Sequence, residues 1–188
     1  MFQEFISQGF LHILDFNGLD HLLFLLVLGV VYDVNQWKNL LWVLTAFTIA
    51  HSLSLALALF DVVSLQTSIV EFLIPTTILF TCLENLFLRN RTNTYKVVTA
   101  GVFGLIHGMG FSTLLKNLFM GMDYSIWLTL LPFNIGIELA QIVIIGILFF
   151  LMLMVQRWNI IPKGRVVQWV STVVGIQALV WMVHRFPF

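Results

Sequence analysis

Long apolar stretches follow one another along the chain, and each is interrupted by no more than two ionisable residues. About 20 mainly apolar residues are enough to cross a bilayer as an α-helix. Five stretches are close to this length or longer, the last being slightly short, and we expect each to form a membrane-spanning helix. They are residues 40–60, 62–88, 97–115, 124–156 and 166–183.

The N-terminal part of the chain departs from this pattern. Only 11 uncharged residues, 22–32, separate two charged or titratable positions, and that length is too short to cross alone. Residues 5–14 add apolar length, but the sequence Asp15-Phe-Asn-Gly18 is typical of a break in a helix. The pattern therefore predicts a short half-helix that carries His12, a turn, and a second helix that begins near Leu19.

The composition supports a membrane protein, because 60% of the residues are hydrophobic and only 10% are charged. Soluble domains are about half apolar and about a quarter charged. Nine basic residues balance nine acidic ones, and no basic stripe indicates a nucleic-acid partner. One cysteine, Cys82, excludes an internal disulfide and a multi-cysteine metal cluster. We predict an all-α fold: one integral-membrane domain over residues 1–188, a polytopic helix bundle with about six transmembrane helices and a broken or re-entrant N-terminal segment.

The distribution of lysine and arginine predicts the orientation, since cytoplasmic loops carry an excess of both. With the N-terminus outside, the outer segments hold two basic residues, Lys116 and Arg185, and the inner loops hold seven. We therefore expect a bacterial-type inner (cytoplasmic) membrane with both termini on the outer side. The inner residues are Lys38, Arg89, Arg91, Lys96, Arg157, Lys163 and Arg165.

Ionisable side chains within the predicted spans fall at a common depth. An Asp, Lys or Arg at the centre of a bilayer costs roughly 2.5–3.5 kcal/mol on insertion scales, so such residues indicate function. In the orientation given above, all of them lie between the outer surface and the midplane, and each of the first five spans contributes at least one. They are Asp20, His21, His51, Glu71, His107 and Glu138.

This set of residue types predicts a metal site. Imidazole and carboxylate groups suit divalent transition metals such as nickel, cobalt and zinc, and a cation lets several carboxylates stay ionised in a low dielectric. Polar neighbours on the same helical faces are expected to support the site. Ser52 follows His51, and Asn134 and Gln141 share one face with Glu138 at i, i+4 and i+7 spacing. A hydrogen-bonded role stays open for each residue taken singly.

Two spans carry a short internal repeat. Phe47-Thr-Ile-Ala-His51-Ser-Leu-Ser54 resembles Phe103-Gly-Leu-Ile-His107-Gly-Met-Gly110. Transporters often contain such symmetry, although two short matches also arise by chance. Beside His107, small residues form a thin face that lets helices approach closely, so packing is the expected role of its glycines. This face comprises Gly101, Gly104, Gly108 and Ser112.

Four functions are compatible with these residues. The favoured one is a permease or binding protein for a divalent metal ion. The alternative is a zinc-dependent intramembrane hydrolase in which histidines, an aspartate and Ser52 hold zinc and an activated water, although neither HExxH nor GxSxG is present. A b-type haem between His51 and His107, and a structural or accessory subunit whose buried charges only pair, are the others.

Five short blocks occur in order along spans one to five: Gly9-Phe-Leu-His12-Ile-Leu-Asp15-Phe-Asn-Gly18-Leu-Asp20-His21-Leu-Leu-Phe24, Phe47-Thr-Ile-Ala-His51-Ser52, Val70-Glu71-Phe-Leu-Ile-Pro75, Gly104-Leu-Ile-His107-Gly108-Met-Gly110-Phe111 and Phe133-Asn134-Ile-Gly136-Ile-Glu138-Leu-Ala-Gln141. They resemble the blocks of the HupE/UreJ family, small multi-pass membrane proteins regarded as nickel or cobalt permeases or accessory proteins. The resemblance implies metal-site roles for His12, Asp20, His21 and His107.

The resemblance is closer to a second branch of the family than to its nickel permeases. Seven residues separate His12 from Asp20, where five are typical, and no carboxylate follows His107-Gly108 closely. The identity of the metal therefore stays open among nickel, cobalt and zinc, as does an oligomer or accessory subunit. In the permease scheme, a hydrated cation first meets His12 and Asp15 and then sheds its water at the deeper residues.

Overall fold

The computed structural model describes residues 2–15, 18–88, 91–118 and 126–187, and within these ranges the secondary structure is helical. A 3₁₀ turn, Val34–Gln36, precedes the third helix, and a π-helical turn, Ile126–Leu130, precedes the sixth. The helices are α1 (Phe2–Leu14), α2 (Asp20–Gly29), α3 (Trp37–Leu59), α4 (Thr67–Phe87), α5 (Asn93–Leu118), α6 (Leu131–Arg157) and α7 (Lys163–His184).

In the described part of the chain, four segments are long and apolar enough to cross a membrane: Val34–Leu59, Thr67–Phe87, Trp127–Arg157 and Lys163–His184. Each overlaps a predicted span, so the prediction of an all-helical membrane bundle is confirmed at this level. Helix α5 has 26 residues and a comparable length, whereas α2 has only 10. The total of six spans stays a prediction.

Large apolar side chains cover the outside of the bundle. Water would penalise an apolar surface of this extent, whereas lipid tails accept it. The structure therefore has the surface of a membrane protein. Examples on five segments are Trp42, Phe87, Trp127, Leu151 and Val183.

The N-terminal break is confirmed. Helix α1 ends at Leu14, and α2 begins at Asp20 after a turn in which the Gly18 amide donates to the Asp15 carbonyl (3.1 Å). Phe16 and Asn17, which belong to the predicted break, lie outside the described residues. The break matters for the site, because it places the last turn of α1 beside the first turn of α2.

Glycines let α1 pack closely on α6. A Cβ atom built on Gly9 would collide with the Phe133 carbonyl, and one built on Gly136 would collide with the Ile6 carbonyl. The two backbones therefore touch without intervening side chains, as small residues permit in membrane helix pairs. This contact fixes the position of His12, which lies one turn after Gly9.

The same device joins α3 to α5. A Cβ on Gly104 would meet the Phe47 carbonyl, and one on Gly108 would meet the His51 carbonyl. The predicted packing role is thus confirmed for these two glycines, whereas Gly101 has no such close neighbour. This contact sets His51 and His107 side by side.

We expect Gly108→Ala to lower the thermal unfolding midpoint, because the new methyl group must displace backbone of α3, with a cost of about 1–3 kcal/mol. Gly146→Ala is the matched control, since a Cβ there meets nothing within 4 Å. The control should gain about 0.5–1 kcal/mol from the better helix former. Scanning fluorimetry in detergent compares the two, and equal midpoints would contradict this packing.

Candidate metal centre

Four imidazole rings from four helices meet inside the bundle, and we name them the histidine cluster: His12, His21, His51 and His107. They belong to α1, α2, α3 and α5 respectively. His21 is central, with its ring centroid 4.6 Å from that of His12, 5.8 Å from His51 and 5.2 Å from His107. The centroids of His12 and His51 are 6.1 Å apart. His21, His51 and His107, which the sequence placed at one depth, therefore lie close together, and His12 from the N-terminal half-helix joins them.

The ring nitrogens of the histidine cluster are mostly without hydrogen bonds. His51 and His107 are 1% and 0% exposed, and His21 is 8% exposed. Five nitrogens have no partner among the described residues: Nε2 of His12, Nε2 of His21, both nitrogens of His51 and Nδ1 of His107. A buried polar atom left unsatisfied costs about 1–3 kcal/mol, so this concentration requires an explanation.

Thr77 of α4 fixes the tautomer of His107. Its hydroxyl lies 2.7 Å from the Ile74 carbonyl, which can only accept, so the single hydroxyl proton points there. The same oxygen lies 2.9 Å from His107 Nε2 and must therefore accept a hydrogen bond from that nitrogen. In the neutral ring, Nε2 then carries the proton and Nδ1 carries the free lone pair. A threonine thus holds one nitrogen of His107 ready to ligate.

The ring spacing suits a shared ion, but the rings are not turned toward one. Imidazoles that share a tetrahedral metal ion have centroids about 5 Å apart, given metal–nitrogen distances of about 2.0–2.1 Å. The cluster has this spacing. Among the described residues, however, no three His, Cys, Asp or Glu side chains are arranged so that they could hold a metal ion as they stand. Coordination would therefore require the rings to rotate.

Asp20 borders the histidine cluster but is paired elsewhere. Its Oδ2 accepts a hydrogen bond from Nη1 of Arg185 at 3.1 Å, and its Oδ1 has no partner within the described part of the chain. The Arg185 guanidinium also lies over the Trp181 ring, 5.3 Å from its centroid. The end of α7, to which the sequence assigned no site residue, thus reaches the start of α2.

The other predicted carboxylates do not join the cluster. Glu71 and Asp15 have exposed side chains, so the inward placement expected for Glu71 is not seen. Glu138 is half-buried and lies in hydrogen-bonding reach of the Thr48 hydroxyl. The structure therefore brings together the histidines and Asp20, while Glu138 belongs to a neighbouring polar network.

That network joins α6 to α3 one turn from His51. The Thr48 hydroxyl donates to Oε1 of Gln141 at 3.2 Å, and Nε2 of Gln141 donates to the Thr48 hydroxyl oxygen at 3.0 Å. Gln141 is completely buried, so this pairing satisfies an amide that would otherwise be costly. Gln141 and Glu138 thus both reach Thr48, which lies one turn before His51 on α3.

The remaining supporting residues bond within their own helices. Ser52 donates its hydroxyl to the Thr48 carbonyl at 2.6 Å, a local bond that does not direct it toward a reaction centre. Asn134 donates its amide to the Leu130 carbonyl at 2.8 Å, and its Oδ1 has no partner in the described ranges.

The family model described as HupE / UreJ protein matches residues 1–185 of this chain. The chain belongs to the HupE/UreJ family. Neither a curated protein nor a solved structure matches it. The resemblance of the sequence blocks is confirmed over essentially the whole chain, and the family associates it with membrane proteins concerned with nickel and cobalt.

Aromatic residues complete the site of this HupE/UreJ protein, and the sequence did not single them out. Phe111 lies against His12 with ring centroids 3.7 Å apart, and Phe24 and Phe47 each lie 5.3 Å from His107. Apolar rings in an apolar span give no signal of their own. Phe24, Phe47 and Phe111 occur in the sequence blocks that resemble the family, and Phe47 also begins the internal repeat, but neither pattern assigned them a role.

We expect Thr77→Val to release the fixed tautomer of His107, because valine keeps the shape of threonine but accepts no hydrogen bond. Thr77→Ser is the matched control and should preserve the tautomer. ¹⁵N chemical shifts of the labelled His107 ring in detergent micelles report which nitrogen is protonated. A single unchanged tautomer in Thr77→Val would contradict the role of this threonine.

Proposed function

We propose that this HupE/UreJ protein is a permease or binding protein for a divalent transition-metal ion of the nickel, cobalt or zinc class. The ion would be taken by the histidine cluster. One observation carries the proposal: five imidazole nitrogens without a hydrogen-bond partner among the described residues are concentrated in one buried cluster drawn from four helices.

The chemistry of the cluster supports a metal better than a purely structural role. Histidines that only support a fold find hydrogen-bond partners, yet within the described residues the four rings have one such partner, Thr77. A cation would satisfy several lone pairs at once. Metal-bound imidazoles also characteristically donate their second nitrogen to an outer partner, and Thr77 provides this for His107.

The charge of the site favours transient rather than permanent binding. Neutral imidazoles leave the charge of a dication uncompensated, and a buried uncompensated charge is costly. The charge of Asp20, which precedes His21 directly, is largely offset by Arg185. A site of this kind can bind an ion and release it again, as a permease requires.

Entry is proposed at the break between α1 and α2. His12 lies in the last turn of α1, and Asp20 and His21 lie in the first turn of α2, so the ends of both helices next to the break carry residues of the site. Exposed Asp15 lies at the same break and would attract the hydrated cation. Because ligands must be deprotonated to bind, protonation of the imidazoles would favour release.

The test is the metal content of purified protein after dialysis against nickel, cobalt or zinc, measured by mass spectrometry. We expect His21→Ala, His51→Ala and His107→Ala to weaken binding about tenfold or more, since each removes a ligand. His184→Ala is the control, because His184 is exposed at the end of α7 and should leave binding unchanged. Equally low metal in wild type and all variants would overturn the proposal.

Uptake into proteoliposomes separates a permease from a binding protein. A metal indicator inside the vesicles should respond faster with wild-type protein than with His107→Ala. Metal binding without uptake would leave a binding protein and remove the permease.

A further inference from the structure

A cavity of about 340 Å³ opens at the end of the bundle that carries the basic loops. It lies between the end of α2 and the beginnings of α5 and α7, with the last turns of α4 at its side. Its charged and aromatic lining includes Tyr32, Glu84, Arg91, Lys96, Phe103 and Lys163. The metal site proposed above uses none of these residues.

The cavity and the histidine cluster share helices α2 and α5 and lie at different heights along them. Thr99 lines the cavity, and His107 follows it eight residues later on α5, which is about 12 Å along a helix. Helix α2 likewise carries His21 in its first turn and Leu28, a cavity residue, near its end. The cavity and the cluster are therefore successive levels of one bundle.

Three phenylalanine rings separate the two levels, and we name them the aromatic layer: Phe24, Phe47 and Phe103. The ring centroid of Phe24 lies 5.0 Å from that of Phe47 and 6.2 Å from that of Phe103. On one side Phe103 lines the cavity, and on the other Phe24 and Phe47 touch His107. Phe24 and Phe47 are 0% and 2% exposed, so water does not reach them.

The order of histidine and phenylalanine is the same on all three helices. Phe24 follows His21 by three residues on α2, which runs toward the cavity. On α3 and α5, which run away from it, Phe47 and Phe103 precede their histidines by four residues. Residues three or four apart share a helix face one turn apart. Each of the three helices thus places its histidine in the histidine cluster and its phenylalanine one turn nearer the cavity.

The basic side chains of the cavity are held by other partners. Lys163 Nζ donates to Asp33 at 2.6 Å and to the Val31 carbonyl at 3.0 Å. Lys96 lies 4.7 Å from the centroid of the Tyr32 ring. Arg91, the third basic residue of the lining, lies over the Tyr95 ring, 5.0 Å from its centroid. Each of the three basic groups thus already has a partner.

The cavity also offers an oxygen to a cation. Oε1 of Glu84 is buried and has no hydrogen-bond partner in the described part of the chain, although Lys96 is close enough to attract the carboxylate. Burial raises the pKa of Tyr32 to about 12, so its hydroxyl stays neutral and donates to Asn93 at 3.1 Å. The cavity is therefore a polar chamber with room for a hydrated ion.

We propose that this cavity is the second mouth of the metal pathway and that the aromatic layer is the gate that closes it from the histidine cluster. The inference rests on the proposed function. Tightly packed apolar rings exclude water, and hydrophobic constrictions gate channels and pores by dewetting. A hydrated divalent cation passes only when the ring of Phe24 moves out of the contact it makes with Phe47 and Phe103.

The test measures water access without any metal. In a Cys82→Ser background, Thr99→Cys places a thiol in the cavity, and Thr77→Cys places one beside His107. Both threonine hydroxyls donate to carbonyls of their own helices. A membrane-impermeant methanethiosulfonate reagent is applied to inverted membrane vesicles. The Thr99→Cys thiol should react rapidly and the Thr77→Cys thiol slowly.

Removing the gate should expose the deeper thiol. We expect Phe24→Ala to speed modification of the Thr77→Cys thiol about tenfold, because water then fills the layer. Phe24→Leu keeps apolar bulk and should keep the gate closed. Phe72→Ala is the matched control, because Phe72 pairs with Phe186 at 5.5 Å. Phe103→Ala removes the second ring where Phe24→Ala does not fold.

Three results would overturn the gate: rapid modification of the Thr77→Cys thiol with all three phenylalanines present, an unreactive Thr99→Cys thiol, or no acceleration in either Phe24→Ala or Phe103→Ala. Nickel binding by the same gate variants, with Thr77 intact, is measured separately. If the accessibility pattern fails while nickel still binds, only the gate is lost. If nickel does not bind while the pattern holds, the proposed function is lost and a gated water pathway is what is left.

Discussion

Unmade hydrogen bonds of the buried imidazoles are the constraint on which this structure depends. Five ring nitrogens lack partners in the described residues, and each such atom costs about 1–3 kcal/mol. Their sum is comparable with the whole stability of a typical domain, about 5–15 kcal/mol. The close contacts of α1 with α6 and of α3 with α5 hold the rings in place despite that cost. A cation is the species that relieves it most directly.

The break in the N-terminal segment is what makes the cluster possible. In one continuous helix, His12 and His21 would lie about 13 Å apart along the axis, because His21 comes nine residues after His12. The turn between α1 and α2 instead brings the two ring centroids to 4.6 Å. Arg185 then ties the start of α2 to the end of α7 through Asp20. The break thus lies where the end of α7 is tied to the start of α2.

Sequence predicted the depth of the site better than its membership. Depth follows from counting residues along helices, since each adds about 1.5 Å, and this correctly grouped His21, His51 and His107. The side of a helix that faces inward depends on packing, so Glu71 was expected inside but is exposed. Thr77 lies in a mainly apolar stretch, and nothing in the sequence linked its hydroxyl to His107.

The sequence alone did not decide whether the internal repeat reflects symmetry or chance. In the structure, its two halves occupy corresponding positions. Its phenylalanines and its histidines fall in different levels of the bundle, with Phe47 and Phe103 in the aromatic layer and His51 and His107 in the histidine cluster. In the proposed mechanism, the imidazoles must rotate before their nitrogens converge on an ion. Phe47 lies 5.9 Å from His51 and 5.3 Å from His107, so rotation of either ring changes the packing of the gate. Binding and gating would then be coupled by direct contact, since the same helix faces carry both.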